Sequence, residues 1–289
     1  MNSDKIFNGI VIFISVLVVF IVAYPLLFVL SASFSNAESV MAGKVWLLPV
    51  DASVEGYKMV FRDQNILTGY RNSLMYAGLG TAVNIILTSI MAYPLSRRDL
   101  WGRKWLMMFI TFSMLFSGGI IPTYLVVKNL RLTNTIWAMI VPTAIATYNL
   151  IVMRNYFESG IPFELQEAAK IDGCNDFRLF ISVILPLSKP ILAVISLYYA
   201  VGHWNAFFNA LIYLRDSKLF PLQLILRDIL LRNQADNMIG SDFGMREKAM
   251  MSETLKYAVI VVSSLPVMAA YPFVQKYFVR GIMSGAVKG

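Results

Sequence analysis

The chain has 289 residues, of which 57% are hydrophobic and only 15% are charged, and its mean hydropathy is +0.63. Because about a quarter of the residues in soluble domains carry charge, this composition excludes an ordinary soluble domain. The net charge of +8 is spread between apolar segments and forms no basic block, which argues against nucleic acid as a partner. The single Cys174 excludes an intrachain disulfide, and the single His203 argues against a structural metal site.

Six apolar stretches follow one another along the chain, each long enough to cross a bilayer as a helix of roughly twenty residues. They cover residues 10–30, 74–95, 105–127, 136–153, 190–214 and 255–277. We therefore predict an all-α protein with one membrane domain over residues 1–289. The first stretch lacks a small-residue cleavage pattern, so we expect it to remain as a helix. Prolines within the stretches predict bent or broken helices, at Pro25, Pro94, Pro122, Pro142, Pro266 and Pro272.

The short loop 96–104 sets the predicted orientation of the chain. Its four basic residues are Arg97, Arg98, Arg103 and Lys104. Short loops rich in Lys and Arg stay on the cytoplasmic side, so with six spans both termini are predicted to be cytoplasmic. The segment between the fourth and fifth spans is then cytoplasmic, and the segment 215–253 is extracytoplasmic. Within it, residues 222–232 predict a surface helix that either packs on the outer helix ends or contacts a delivery protein.

The interiors of the apolar stretches contain no Asp or Glu, whereas ion- and proton-coupled carriers usually keep a carboxylate there. The chain also lacks a GxxxxGK[ST] phosphate loop, so we do not expect it to bind ATP itself. No Ser/His/acid set and no paired carboxylates within reach of the membrane can be assembled around His203, so no catalytic residue, cofactor or metal is assigned to this chain. Energy for transport would then have to come from another polypeptide.

The predicted cytoplasmic segment 159–186, which we call the coupling loop, has the local signals of two short helices joined by a sharp turn. Pro162 suits the first turn of a helix, and Gly173 is the natural left-handed residue to close it. Asn175 can cap the second helix. Ala168 and Ala169 have almost no side chain, so another protein could approach the first helix closely.

The second helix of the coupling loop carries apolar residues at spacings of three and four. They are Phe177, Phe180, Val183 and Ile184. Such a stripe is suited to packing against the membrane helices of the same chain. We therefore expect the coupling loop to move as one piece with the adjoining spans.

The coupling loop resembles the EAA loop of permease subunits of binding-protein-dependent ABC importers. The resemblance rests on Glu167-Ala168-Ala169, on Gly173 after three intervening residues, and on Val183-x-Leu185-Pro186 after nine more. Val183 stands in place of the usual Ile. Residues 277–281 and 285–289 are similar to the carbohydrate branch related to the second maltose permease subunit. Residues 116–124 and 220–224 resemble permeases for complex oligosaccharides and polysaccharide fragments.

This resemblance implies the type I importer permease fold with six spans, in a bacterial cytoplasmic membrane. It implies a second homologous permease subunit, two ATPase subunits that bind ATP and Mg, and an extracytoplasmic sugar-binding protein. The ATPase contact would be made by Glu167, Ala168, Ala169, Asp172 and Gly173. In the second maltose subunit the tail reaches the ATPase interface, which suggests the same role for Gly285–Gly289 within the tail 278–289.

Sugars bind through hydrogen bonds to their hydroxyls and stacking on aromatic rings, and the fourth and fifth spans contain candidates for both. Tyr198, Asn205 and Asn209 are spaced to lie on one face of the fifth span. The remaining candidates for the substrate pathway are Trp204, Phe208, Tyr148 and Asn149. For each of these residues, packing between helices is the competing interpretation.

Asn84 and Ser89 in the second span are predicted to pack between helices. His203 has two interpretations, a helix–helix hydrogen bond or a contact with sugar. The sequence as a whole predicts a subunit of an ATP-driven importer for oligosaccharides or polysaccharide fragments. A permease for another solute, such as a peptide or phosphate ester, and an ATP-independent carrier or channel are the alternatives.

Overall fold

The computed structural model describes residues 2–239 and 243–286, which contain helices and no strand. The helices are α1 (Asn2–Ser33), α2 (Ala37–Met41), α3 (Glu55–Arg62), α4 (Gln64–Ser96), α5 (Arg103–Leu115), α6 (Ile120–Asn129), α7 (Trp137–Ile140), α8 (Thr147–Ser159), α9 (Phe163–Ile171), α10 (Asp176–Leu179), α11 (Leu185–Leu187), α12 (Lys189–Trp204), α13 (Phe208–Tyr213), α14 (Leu222–Ile239) and α15 (Phe243–Ala286). A π-helical turn, Phe180–Ile184, joins α10 to α11. Of the predicted tail 278–289, residues 287–289 lie outside the described residues.

Among the described residues, three helical segments are long and apolar enough to cross a membrane: Asp4–Ser33, Gln64–Ser96 and Leu255–Pro272. Three bent helix pairs bring the number of spans to as many as six if each pair crosses once. The bends are 112° between α5 and α6, 55° between Trp137–Thr143 and α8, and 81° between Asp176–Leu187 and α12. The third and fourth predicted spans therefore contain a bend. The fifth predicted span follows the bend at Ser188 and is interrupted between α12 and α13.

Glycine and proline account for these bends. Between α5 and α6, Gly119 has a φ of +85°, a value that other residues rarely adopt, and Pro122 follows in the first turn of α6. Pro142 lies in the 3₁₀ turn that follows α7. Pro186 and Pro190 flank Ser188, where α12 turns away from α11.

The chain forms two compact units, one of Met1–Leu67 with Ile225–Leu265 and the other of Thr68–Leu224 with Pro266–Gly289. In the first unit, α1 exposes most of its side chains, as expected for a helix surrounded by lipid. The segment after α1 is held by the Ser31 hydroxyl, which donates to the Leu47 carbonyl at 2.6 Å. Ser33 also hydrogen-bonds Tyr57 at 2.8 Å.

The core of the second unit lies between α4, α8 and the helices from α10 to α12. Its deeply buried side chains include Leu150, Met153, Phe157, Leu179, Ile184 and Ile195. This cluster fixes the coupling loop and the fifth span to the bundle, because α8 precedes the loop, α10 lies within it and α12 follows it.

The predicted outer helix is α14, which extends to Ile239. The residues just before it are bound to the start of α4. Asn72 donates to the carbonyls of Lys218 and Phe220 at 2.7 and 3.0 Å. Tyr76 donates to Leu219 at 2.8 Å. These bonds favour packing on the ends of the membrane helices, and not contact with a delivery protein, as the role of the beginning of the segment 215–253.

Polar residues in the middle of α4 bind other helices, which confirms the predicted packing of Asn84 and Ser89. Asn84 and His203 are hydrogen-bonded at 3.0 Å between Nδ2 and Nε2. Ser89 donates to the Met153 sulfur at 3.4 Å. His203 therefore makes the helix–helix hydrogen bond predicted as one of its two roles.

Gly80 permits the close approach of α4 to His203, and Gly80→Ala is expected to destabilise the protein. A Cβ at this position would lie 2.5 Å from His203 Nε2. Because the ring is buried, we expect overpacking to cost about 1–3 kcal/mol, against a gain of at most about 1 kcal/mol in helix propensity. Gly78→Ala is the matched control, since its Cβ would meet nothing within 4 Å. Equal melting temperatures of the two variants in detergent would contradict this role of Gly80.

Candidate functional site

The coupling loop forms the predicted helix–turn–helix. Gly173 has a φ of +77°. Its N–H donates to Lys170 O at 3.0 Å, and the Cys174 N–H donates to Ala169 O at 2.9 Å, which closes α9. Asn175 caps α10 by accepting from the Arg178 N–H at 2.8 Å. Pro162 lies immediately before α9, one position earlier than predicted.

Four of the five predicted ATPase-contact residues are on the surface of this chain: Glu167, Ala168, Asp172 and Gly173. Ala169 differs from the prediction. It is half-buried and packs against the core of its own chain, because it lies on the inward side of α9. A partner could therefore approach Ala168 closely but not Ala169.

The apolar stripe of the second helix packs inward except at its first member. Phe180 and Ile184 are buried, and Val183 is half-buried against the same core. Phe177 is 73% exposed, which corrects the prediction, because the first turn of this helix extends beyond the residues that cover the core. Ile171, on the other side of the turn, is 86% exposed. The exposure of this pair was not predicted from the sequence, and it gives the turn an apolar surface.

Arg97 joins the end of α4 to both helices of the coupling loop. Its side chain is largely buried, with 10% exposed. Its Nε and Nη2 donate to the two oxygens of Asp99 at 3.0 and 2.8 Å. Its Nη1 donates to Gln166 of α9 at 3.1 Å. Its Nη2 also lies 3.8 Å from the carboxylate of Asp176 in α10. Lys170 also lies 3.6 Å from the carboxylate of Asp99. We call these contacts among Arg97, Asp99, Gln166, Asp176 and Lys170 the Arg97 bracket.

Asp99 stays ionised over the physiological pH range. Hydrogen bonds from Arg97 lower the pKa of Asp99 from 3.8 to about 2. Because the folded-state pKa is lowered, the ionised carboxylate stabilises the fold above about pH 4, and this contribution is lost as the pH falls towards 2. Acidification to pH 5 should therefore leave the pair of Arg97 with Asp99 intact.

Aromatic contacts support the same connection. Tyr93, near the end of α4, stacks on Phe180 with ring centroids 5.0 Å apart. The guanidinium of Arg98 lies 5.4 Å from the centroid of the Phe163 ring, at the start of α9. Each helix of the coupling loop thus contacts the end of α4 through a ring as well as through the bracket.

A cleft of about 240 Å³ lies among α4, α8, α12 and α13. Its lining residues are Asn84, Met139, Thr143, Ala146, Asn149, Tyr198, Tyr199, Gly202, His203, Ala206 and Asn209. Three of the predicted pathway residues, Asn149, Tyr198 and Asn209, therefore line one cleft. Among the described residues, its lining contains amide, hydroxyl and imidazole groups and no Asp, Glu, Lys or Arg.

The other predicted pathway residues lie outside this lining. Trp204 is 4% exposed and meets Tyr70 edge-on, with ring centroids 5.6 Å apart. Asn205 ends α12, where its N–H donates to Val201 O at 3.0 Å. Tyr148 and Phe208 are 55% and 46% exposed.

The prediction that Tyr198, Asn205 and Asn209 share one face of a continuous helix is wrong. It fails because α12 ends at Trp204 and α13 begins at Phe208. The sequence predicts only packing for Asn84, whereas Asn84 also lines the cleft. The available signal was the rarity of such polar groups in membrane spans, which often marks a solute path.

Among the described residues, no group of three or more His, Cys, Asp or Glu side chains could hold a metal ion. The candidate site consists of two parts, the exposed turn of the coupling loop and the cleft. α12 connects them, since it follows the loop and contributes Tyr198 and His203 to the cleft.

Comparisons with known proteins agree with this architecture. The model of the family described as "Binding-protein-dependent transport system inner membrane component" matches residues 84–284. The polygalacturonan/rhamnogalacturonan transport system permease protein YtcP of Bacillus subtilis is 43% identical over 287 residues, 99% of this chain and 100% of that protein. The arabinooligosaccharides transport system permease protein AraQ of Halalkalibacterium halodurans is 27% identical, with 94% of this chain and 93% of that protein covered.

A solved structure shows the same fold. One chain in the crystal structure of a bacterial ABC transporter involved in the import of the acidic polysaccharide alginate has a TM-score of 0.86 and 34% identity to this chain. The match covers 96% of this chain and 98% of that one. Since the family model covers more than half of the sequence, this chain belongs to the binding-protein-dependent transport system inner membrane components.

Proposed function

We propose that this chain forms one half of the translocation pathway of an ATP-driven importer for oligosaccharides or polysaccharide fragments. The observation that carries the proposal is the exposed turn at Gly173, which the Arg97 bracket attaches to α4. Such a turn gives a separate ATPase a place to act on the membrane helices. Three relatives whose names specify polygalacturonan/rhamnogalacturonan, arabinooligosaccharides and alginate support the class of solute.

The proposed partners are a second permease subunit, two ATPase subunits and an extracytoplasmic binding protein. ATP and Mg would be bound by the ATPases, and the termini of this chain would be cytoplasmic. The ATPase would contact Glu167, Ala168 and Gly173, with Ile171 and Phe177 contributing apolar area. The last residues of the tail, within 278–289, would lie near the same interface.

Closure of the ATPases around ATP would displace the coupling loop. Because Arg97 binds Gln166 and contacts Asp176, α4 would move with both helices of the loop. α12 would move as well, since only Ser188 separates it from α11. The cleft lies between α4 and α12, so this displacement would change its access from one side of the membrane to the other.

The cleft suits the hydroxyl groups of a sugar. Amide and phenol groups donate and accept hydrogen bonds, and Tyr198 adds a ring on which the apolar face of a sugar can stack. The described residues of the lining include no cation to pair with a carboxylate. If the solute is a uronic acid chain, we expect another subunit to meet its acidic groups.

Asn209→Ala is expected to raise the KM for uptake about tenfold, since one hydrogen bond to an uncharged group is worth about 0.5–1.5 kcal/mol. ATPase association should not change, because Asn209 lies in the cleft. Phe208→Ala is the matched control on the same short helix, since its side chain is outside the lining. An unchanged KM for Asn209→Ala, with a raised KM for Phe208→Ala, would assign the pathway to the other face of α13.

The proposed function is tested by purifying the chain with the subunits that accompany it and reconstituting the complex in liposomes. ATP hydrolysis should be stimulated by the binding protein loaded with an oligosaccharide, and less by the same protein loaded with a peptide or phosphate ester. If no ATPase accompanies the chain, or if only a non-sugar solute stimulates hydrolysis, the proposal is wrong.

A further inference from the structure

A second and larger concavity, of about 1150 Å³, lies around the beginning of α5, away from the cleft among α4, α8, α12 and α13. Four cationic residues line it: Arg98, Arg103, Lys104 and Arg154. We call it the basic groove. Neither the proposed solute path nor the exposed turn of the coupling loop uses it.

The basic groove carries an excess of positive charge. Arg103 and Arg154 both pair with Glu158, the latter at 2.6 Å. The nearby Asp99 is already held by Arg97 and Lys170. Among the described residues, the four cations of the groove therefore share one carboxylate, which leaves three positive charges to be balanced by a ligand or solvent.

Exposed aromatic and apolar side chains border these charges on one side. Trp101 is 95% exposed and Trp105 is 66% exposed. Phe109, one turn further along α5, is 64% exposed. α5 is apolar from Trp105 onwards, so the groove lies where a polar loop enters a membrane helix. Tryptophan is enriched at this depth because its ring is amphipathic.

We propose that the basic groove binds the headgroup of an anionic phospholipid in the leaflet next to the coupling loop. The phosphate would contact Arg98 and Lys104, and the acyl chains would lie along Trp105 and Phe109. Basic pockets at the membrane surface bind anionic headgroups, whereas a soluble anion would leave the apolar side of the groove uncovered. This inference depends on membrane insertion and not on the identity of the solute.

The groove is adjacent to the machinery that moves. Arg98 contacts Phe163 of α9, and Arg154 donates to the Leu95 carbonyl at the end of α4 at 3.2 Å. A bound lipid would therefore contact the two elements joined by the Arg97 bracket. Anionic lipid in the membrane should for this reason also affect transport.

The test uses the chain, purified with its accompanying subunits, in nanodiscs that contain phosphatidylcholine and brominated phosphatidylglycerol. Bromine quenches nearby tryptophan, and the signal of Trp101 and Trp105 is obtained by difference from the Trp101→Phe/Trp105→Phe variant. Brominated phosphatidylglycerol should quench these two tryptophans more strongly than brominated phosphatidylcholine does at the same mole fraction. In Arg98→Gln/Lys104→Gln the preference for phosphatidylglycerol over phosphatidylcholine should fall roughly 25-fold, since each basic residue near the surface contributes about fivefold to the binding of anionic lipid.

Lys128→Gln/Lys218→Gln removes the same charge at two exposed positions outside the groove and should keep the preference. Equal quenching by the two lipids in the wild-type protein overturns the proposal, whether or not the variants assemble. A preference that survives in Arg98→Gln/Lys104→Gln places the lipid elsewhere and also overturns it. Relief of quenching by inorganic phosphate, at constant ionic strength, would show a site for a free anion instead.

Discussion

Gly173→Arg is expected to reduce solute uptake roughly a hundredfold, which corresponds to about 2.7 kcal/mol of lost coupling. Two effects act together. The φ of +77° disfavours any side chain by about 1–2 kcal/mol, and a long cation would occupy the exposed turn where the ATPase is proposed to dock. Because Gly173 has no neighbour within 4 Å of a Cβ position, the fold itself should persist. Uptake and ATP hydrolysis are measured together in proteoliposomes.

Gly43→Arg is the matched control for this change. Gly43 has a φ of +67° and likewise meets nothing within 4 Å of a Cβ position, but it lies outside the coupling loop. It should therefore show similar backbone strain and nearly normal uptake. If both variants lose uptake equally, strain alone accounts for the loss, and normal uptake in Gly173→Arg would remove the turn from the coupling mechanism.

Arg97→Ala is expected to lower the number of solute molecules transported per ATP about tenfold while hydrolysis continues. The substitution removes the bonds to Asp99 and Gln166 and the contact with Asp176, so the coupling loop could move without α4. Hydrogen bonds to charged groups contribute about 1.5–3 kcal/mol, which is enough for this effect. Arg97→Lys should be intermediate, because an ammonium cannot reproduce the forked geometry.

The number of solute molecules transported per ATP distinguishes a positioning role of Arg97 from a purely structural one. A variant that is only less stable would lose hydrolysis and uptake in parallel, with an unchanged ratio. Lys128→Ala, which removes an exposed cation outside the bracket, should behave as wild type. In a double-mutant cycle, Gln166→Ala should add little to Arg97→Ala, since both break the same contact. Additive losses would show that the two residues act independently.

The turn of the coupling loop could be predicted from the sequence because its signals are local. Gly173 supplies the left-handed conformation and Asn175 supplies the cap, whatever surrounds them. The apolar character of the membrane segments was also readable, since hydropathy follows from composition along one stretch, but the described residues allow from three to six spans. These features do not depend on how the helices pack.

The features that were missed depend on contacts between distant parts of the chain. Arg97 was read only as an orientation signal, and nothing near it in sequence indicates the bond to Gln166, 69 positions away. Asn84 and His203 are separated by 119 positions. The exposure of Phe177 also depends on where the core ends, which periodicity alone does not show.

Contact between the turn of the coupling loop and an ATPase can be tested by cross-linking. Cys174→Ser removes the only native cysteine, and Ala168→Cys then places one thiol on the exposed side of α9. We expect a cross-link from this thiol to the ATPase subunit, with a yield that changes when ATP is added. Labelling of that thiol by a membrane-impermeant reagent outside intact cells, without an ATPase adduct, would contradict it.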